Sequence, residues 1–178
     1  GIARSFQNIR LMPHLTVIEN LLLGQHVRTA GLRDLLTPFR LVRGHRWQQE
    51  ALDALAEAGL ADYANEAVNA LPYGLRKRVD LVRALMARPK LLMLDEPAAG
   101  LNPAETQELL AALTRIAESG IALLVVEHDM HFIRNLCDHV VVLNFGEKIA
   151  EGSMAEVQDD PNVREAYLGD SRGVGHAA

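Results

Sequence analysis

The 178-residue chain is 49% hydrophobic and 23% charged, ordinary usage for a globular protein and enough length for one packed core. A net charge of −5 argues against a general polyanion-binding surface, and the single cysteine, Cys137, excludes an internal disulfide framework and fits a reducing compartment. No apolar run approaches the roughly 20 residues of a membrane span and no signal-peptide pattern opens the sequence, so membrane association is expected only through a partner.

In chain order, residues 15–25 read as a helix, 31–46 as a basic irregular segment, and 47–58 as an Ala-rich helix closed by Gly59. Gly74 stands ahead of a further helix, whose free N–H groups form a natural anion site. Near residue 89 the pattern changes to alternating strands and helices: 90–94, 103–119, 121–127, 130–137 and 139–144. That alternation predicts an α/β fold with a mostly parallel sheet and crossover helices, beside the helical part that precedes it. Asn102 is expected to cap the helix at 103, with Pro103 at its first position and Glu105 completing a capping box. Leu109, Leu110, Leu113, Ile116 and Ala117 make its apolar stripe, and Gly120 ends it. Asn144-Phe145-Gly146 predicts a turn into a hairpin strand over 147–151, and Ser153 with Glu156 predicts a second capping box. The tail after Asp170 is expected to fray.

The chemistry concentrates at Leu91-Leu92-Met93-Leu94-Asp95-Glu96-Pro97. Four apolar residues predict a strand buried on both faces, which Pro97 stops, so two adjacent carboxylates emerge where open α/β sheets bind ligands. Asp95 can hold Mg²⁺ through oxygen, and Glu96 can polarise a water for attack on a phosphoryl group. The alternative is a strand ending in a solvated acidic turn. A second expected buried strand, 121–127, is followed by His128. The other histidines (14, 26, 45, 131, 139 and 176) show no zinc-ligand spacing. Cys137 lies on an apolar helical face, where a buried small hydrophobe is the simpler reading than a nucleophile.

Ser5-Phe6-Gln7-Asn8, Leu71-Pro72-Tyr73-Gly74-Leu75-Arg76-Lys77-Arg78, the 91–97 stretch, Gly100-Leu101-Asn102-Pro103 and Val126-Glu127-His128-Asp129 stand in that order. Together they resemble the glutamine loop, signature motif, Walker B, D-loop and switch histidine of ABC-type ATPases, over residues 1 to about 169. The wording ARSFQNIRL from Ala3, VIENLLLGQH, DEPAAGLNP, VVEHDM and Val163-Arg164-Glu165-Ala166-Tyr167-Leu168-Gly169 resembles the ATPase subunits of branched-chain amino acid uptake transporters. No G-x-x-x-x-G-K-[ST] occurs in the 178 residues, and the chain opens on Gly1 with Gln7 close behind. It is therefore read as an N-terminally truncated, partial P-loop NTPase domain. Residues 1–88 carry the glutamine loop and helical subdomain with the signature motif. Residues 89–169 carry Walker B, the D-loop and switch histidine, and 170–178 form a tail.

The resemblance implies ATP and Mg²⁺ as cofactors and assigns roles. Gln7 and Asp95 would contact Mg²⁺, Glu96 would activate the attacking water, and His128 would hydrogen-bond the γ-phosphate or that water. Tyr73, Gly74, Leu75 and Arg76 would complete the nucleotide site of a second ATPase subunit, identical or paralogous, and Asn102 would touch that subunit. Permease subunits in the membrane would be direct partners, a periplasmic solute-binding protein an indirect one, and nucleic acid none. The implied location is the cytoplasmic face of the inner membrane.

Three departures stand out. Pro72, Tyr73 and Leu75 replace the commonest Ser, Gly and Gln of the signature, and Asn102 replaces the usual Asp. Arg76, Lys77 and Arg78 would oppose the dipole at their helix start unless an anion offsets them; the alternative is that they are solvated or face a partner protein. Two other functions are weighed. A DNA-repair type ABC ATPase is disfavoured because 21–71 holds no heptads and no paired cysteines, and a non-catalytic dimerisation module stays open for the isolated chain. Truncation is also expected to expose apolar side chains over 91–94 and 123–126 and to favour aggregation. Finally, Arg28, Arg33, Arg40, Arg43 and Arg46, interspersed with Leu32, Leu35, Leu36 and Phe39, are read as a permease-docking surface in preference to a lipid-binding one.

Overall fold

A computed structural model describes residues 1–5, 9–25 and 46–168. Gln7, most of the basic 31–46 segment and the tail lie outside those residues. The chain forms two compact units, Gly1–Glu127 and His128–Ala178.

In the first unit the largest core is helical. Helix α1 (Val17–Gly24) starts where Thr16 accepts from the Glu19 amide while the Glu19 carboxylate accepts from the Thr16 amide, a complete capping box. Its Val17, Ile18, Leu21 and Leu22 are buried. Asn20, fully buried among them, is satisfied by the Met12 backbone: its Oδ1 accepts from the Met12 amide (2.7 Å) and its Nδ2 donates to the Met12 carbonyl (3.1 Å). Helix α2 (Arg46–Glu57) buries Trp47, Ala51 and Leu55, one residue per turn on a single stripe, and Gly59 follows it at φ 66. Arg46, the one described member of the basic segment, lies over the Trp47 ring. Leu60, Ala64, Val68 and Leu71, carried partly on short 3₁₀ turns (Ala61–Tyr63 and Val68–Ala70), lead into helix α3 (Tyr73–Leu85). Val79, Val82 and Met86 of that segment close the core.

Among the described residues the sheet of this unit has three parallel strands in the order β1 (Ile2–Ser5), β2 (Leu91–Asp95), β3 (Ala122–Val126), with helix α4 (Pro103–Glu118) crossing from β2 to β3. Strand β1 has no apolar alternation of its own, and its pairing of Ser5 with Leu94 is a tertiary fact. Leu92 and Leu94 are buried, against the expectation that truncation exposes them. Strand β3, against the reading of a buried strand but in line with the expected exposure over 123–126, is an edge of this sheet among the described residues and leaves Leu124 49% and Val126 60% exposed. Helix α4 begins and ends as its sequence requires, but its stripe is narrower: Leu109 and Leu113 are buried, while Ala117 is exposed.

The second unit holds helix α5 (Met130–Leu136), strands β4 (Val140–Asn144) and β5 (Glu147–Gly152), and helices α6 (Met154–Asp159) and α7 (Pro161–Leu168). Strand β4, which closes the expected strand–helix alternation and was also expected to turn into a hairpin with 147–151, pairs antiparallel with β5 as the hairpin requires. The cause is local. Phe145 (φ 47) and Gly146 (φ 86) make a two-residue turn with both backbones left-handed, the geometry that folds a strand straight back on itself. Val142, Val157 and Val163 form the small core, and Ser153 with Glu156 caps α6 as expected.

Candidate functional site

Asp95 is the last residue of β2, at the C-terminal edge of the sheet, and its Oδ2 lies 3.1 Å from a guanidinium nitrogen of Arg4 on the neighbouring strand. Glu96 leaves the strand with a left-handed backbone, φ 45, unusual for a residue with a side chain and costing of order 1 kcal/mol. Its amide still continues the ladder, donating to the Val126 carbonyl at 2.9 Å. From there to Leu101 the chain turns tightly: the Ala99 amide bonds the Glu96 carbonyl (3.2 Å), and the Leu101 amide bonds the Ala98 carbonyl (3.2 Å). Glu127, at the end of the first unit, accepts from the Ala98 amide at 2.9 Å.

The turn is tied to α3 by Lys77. Its ammonium donates to the carbonyls of Pro97 (2.7 Å), Ala99 (2.7 Å) and Glu96 (3.3 Å). Burial pulls the Lys77 pKa below its ordinary 10.5, while the charges of Glu127, Glu96 and Asp80 pull the other way.

Helix α3 starts at Tyr73 behind Pro72, which gives no side-chain cap, and the first intrahelical bond runs from the Arg76 amide to the Pro72 carbonyl. Gly74 is thus within the first turn rather than ahead of it, and the amides of Tyr73, Gly74 and Leu75 precede the first helical hydrogen bond. The basic cluster does not act as one anion site. Lys77 serves the turn, and Arg78 bonds Glu108 (3.1 Å) and the Ala58 carbonyl (2.5 Å). Of the three, Arg76 is left: its guanidinium lies 5.7 Å from the Tyr73 ring centre, and its buried Nε has no partner among the described residues. The Leu75 side chain packs on the helical core, so it would meet a ligand only through its backbone.

Signature and D-loop segments also pack together within this chain. A Cβ on Gly74 would fall 2.2 Å from Oε1 of Glu105, the residue that completes the capping box with Asn102. A Cβ on Gly100, at φ 76, would fall 3.1 Å from a ring carbon of Tyr73. Asn102 accepts from the Glu105 amide at 3.0 Å and receives the Glu105 carboxylate on its own amide at 2.9 Å.

Sequence reasoning missed Asp80. It is buried in α3 and accepts from the Ser5 hydroxyl at 2.7 Å and from Arg83 at 2.6 Å, and Arg83 reaches on to the Arg10 carbonyl at 2.6 Å. Ser5 and Arg10 flank Gln7 in the chain, so α3 holds both sides of that segment. The available signal was an acid three residues before an arginine on one helical face. Lys77 and Glu127 were missed as well, the first because a cation beside Arg76 and Arg78 reads as part of a charged patch. His128 is exposed and opens the second unit, where Asp129 beside it caps α5 by accepting from the amides of His131 (2.8 Å) and Phe132 (3.2 Å).

Mg²⁺ is held by one or two carboxylates together with phosphates and waters. Asp95, partly exposed at the sheet edge with Oδ2 on Arg4, suits that arrangement; among the described residues no group of three or more His, Cys, Asp and Glu is clustered for a metal.

A family described as "ABC transporter" matches residues 1–99, and one described as "Branched-chain amino acid ATP-binding cassette transporter" matches residues 147–172. The chain belongs to the ABC transporter family. It is 40% identical over 176 residues to the high-affinity branched-chain amino acid transport ATP-binding protein BraF of Pseudomonas aeruginosa, spanning 96% of this chain and 69% of that protein. The corresponding LivG protein of Escherichia coli is 40% identical over 180 residues, again covering 96% and 69%. Among solved structures, the ADP conformation of an ATP-binding cassette of an ABC transporter superposes with a TM-score of 0.79 at 30% identity, covering 95% of this chain and 68% of that one. The α/β ABC ATPase fold read from the motifs is thus shown. No helix of the described residues is long and apolar enough to cross a membrane.

Proposed function

We propose that this chain is the catalytic part of an ATP-hydrolysing subunit that powers import of branched-chain or related hydrophobic amino acids. The observation that carries the reading is the Asp95–Glu96 pair at the C-terminal edge of the parallel sheet, with Glu96 leaving the strand on a left-handed, externally tied turn. The names of the relatives support the substrate class. Asp95, with Gln7, would ligate Mg²⁺. When bound, the ion neutralises charge on the transferred phosphoryl group. Glu96 orients and polarises the attacking water, and His128 hydrogen-bonds the γ-phosphate or that water.

Two such subunits, identical or paralogous, sandwich two nucleotides head to tail. The Tyr73, Gly74 and Leu75 amides with Arg76 meet the nucleotide of the partner, and Asn102 touches the partner itself. The pair docks on permease subunits at the cytoplasmic face of the inner membrane, fed by a solute-binding protein. The 178 residues contain no phosphate-cradling G-x-x-x-x-G-K-[ST], so on their own they are expected not to hydrolyse ATP above background. The test joins these residues to a segment that carries a G-x-x-x-x-G-K-[ST] phosphate loop. Glu96→Gln should keep ATP binding and slow turnover by about a hundredfold or more, and His128→Ala should slow it likewise. Parental turnover in either variant would remove that residue's role. Robust turnover by the 178 residues alone, abolished by Glu96→Gln, would overturn the need for the added loop.

A further inference from the structure

We infer that Lys77 is a positioning residue: it locks the turn that carries Glu96 and makes that turn answer to the signature helix α3 of the same chain. An ammonium has three N–H donors and no acceptor. Here the three meet three carbonyls, those of Glu96, Pro97 and Ala99, all within one turn of chain. That turn has only two short-range backbone hydrogen bonds of its own, from Ala99 to Glu96 and from Leu101 to Ala98, and it begins with a left-handed non-glycine residue. A strained backbone persists only where its surroundings over-determine it. Lys77 supplies three of the ties that do so, and Glu127 supplies another through the Ala98 amide.

The geometry is particular to lysine. Arginine spreads its donors over a flat fork rather than directing three from one atom, and glutamine brings only two donors. Lys77 is also partly buried, its ammonium 5.5 Å from the Tyr73 ring centre, which sets it apart from a solvated surface cation. The ring of Tyr73 in turn lies against Gly100. A displacement of the N-terminal end of α3 is therefore passed to the backbone from Glu96 to Gly100. Under the function proposed above, on which this step rests, that end meets the nucleotide of the partner subunit. Lys77 then makes the readiness of Glu96 depend on whether the opposite site is occupied.

Amide hydrogen exchange in the 178-residue chain tests the tie without any need for ATP. Lys77→Met should speed exchange at Ala98, Ala99 and Leu101 by roughly tenfold or more while amides of α1 and α2 stay within about twofold; Lys77→Arg should not restore protection. Unchanged exchange at the turn, an equal rise throughout the unit, or full rescue by arginine would each overturn the inference. If Lys77→Met does not fold, the unaltered chain still decides. The Lys77 ammonium should give its own slowly exchanging NMR signal, and a signal merged with those of solvated lysines would refute the tie. In the chain joined to a phosphate loop, Lys77→Met should lower kcat by about tenfold or more with KM for ATP within about threefold. Glu96→Gln run in parallel separates the two ideas: full turnover there rejects the proposed function, while unchanged exchange in Lys77→Met rejects the positioning role.

Discussion

The hydroxyl of Ser5 donates to Oδ2 of Asp80 at 2.7 Å, joining strand β1 to helix α3 across 75 residues of chain. Asp80 also receives Arg83 on its other oxygen. Removing a buried acid leaves its cation uncompensated, so Asp80→Ala should cost about 3 kcal/mol in urea unfolding, and Ser5→Ala only about 1 kcal/mol. The double variant should cost less than the sum of the two. Strict additivity would mean that the Ser5–Asp80 bond contributes nothing.

Gly74 has a role inside this chain as well as the one proposed toward a partner. A methyl group there collides with the Glu105 carboxylate, which must then leave the Asn102 amide and open the capping box of α4. Gly74→Ala should therefore destabilise the protein by about 1 kcal/mol. In a Glu105→Ala background the same substitution should be nearly neutral. Equal costs in both backgrounds would show that the glycine is needed for some other reason.

Lys77 carries a signed dependence on pH. Its pKa is lower in the folded chain than the ordinary 10.5, with burial the largest cause. Between the folded value and 10.5 the unfolded chain binds more protons, so folding stability rises with pH across that window. Below the window the full cost of holding the charge is present. Urea melts of the unaltered chain and Lys77→Met should show the difference between them shift in favour of the unaltered chain as pH climbs from neutrality toward 10.5. A flat or falling difference would contradict the burial argument.

Cys137 is partly buried at the C-terminal cap of α5, and burial together with the Asp138 charge raises its pKa above the ordinary 9.0. Little thiolate forms near neutral pH, so alkylation by iodoacetamide should run several times slower than that of a free cysteine and still be climbing at pH 9.0. Asp138→Asn should speed it. A plateau below pH 9.0 would reverse the assignment.

What could be read from the residues and what could not divides along the range of the interactions. Asn102 and Ser153 announce their helices through partners three residues away, and Phe145-Gly146 announces its hairpin, because capping and turn chemistry are local. Strand β1 escaped notice, since four residues such as Ile2–Ser5 become a strand only through the edge of β2. The same holds at the candidate site. Asp95 and Glu96 were legible from a strand that ends in two acids. Lys77, Asp80 and Glu127 were not, because their long-range partners lie 19 to 75 positions away, several of them backbone atoms that every residue possesses. Charge alone misled for Arg76, Lys77 and Arg78, which form a cluster in sequence and three separate environments in space.

The left-handed backbone at Glu96 also limits what mutation can put there. Valine, isoleucine and threonine are unfit on backbone grounds before their chemistry is considered, whereas glycine, asparagine and aspartate fit the turn with least strain. Drifted gene copies that keep this fold but have lost hydrolysis should therefore be drawn toward Gly, Asn or Asp at position 96, leaving a recognisable trace of their former chemistry in the backbone itself.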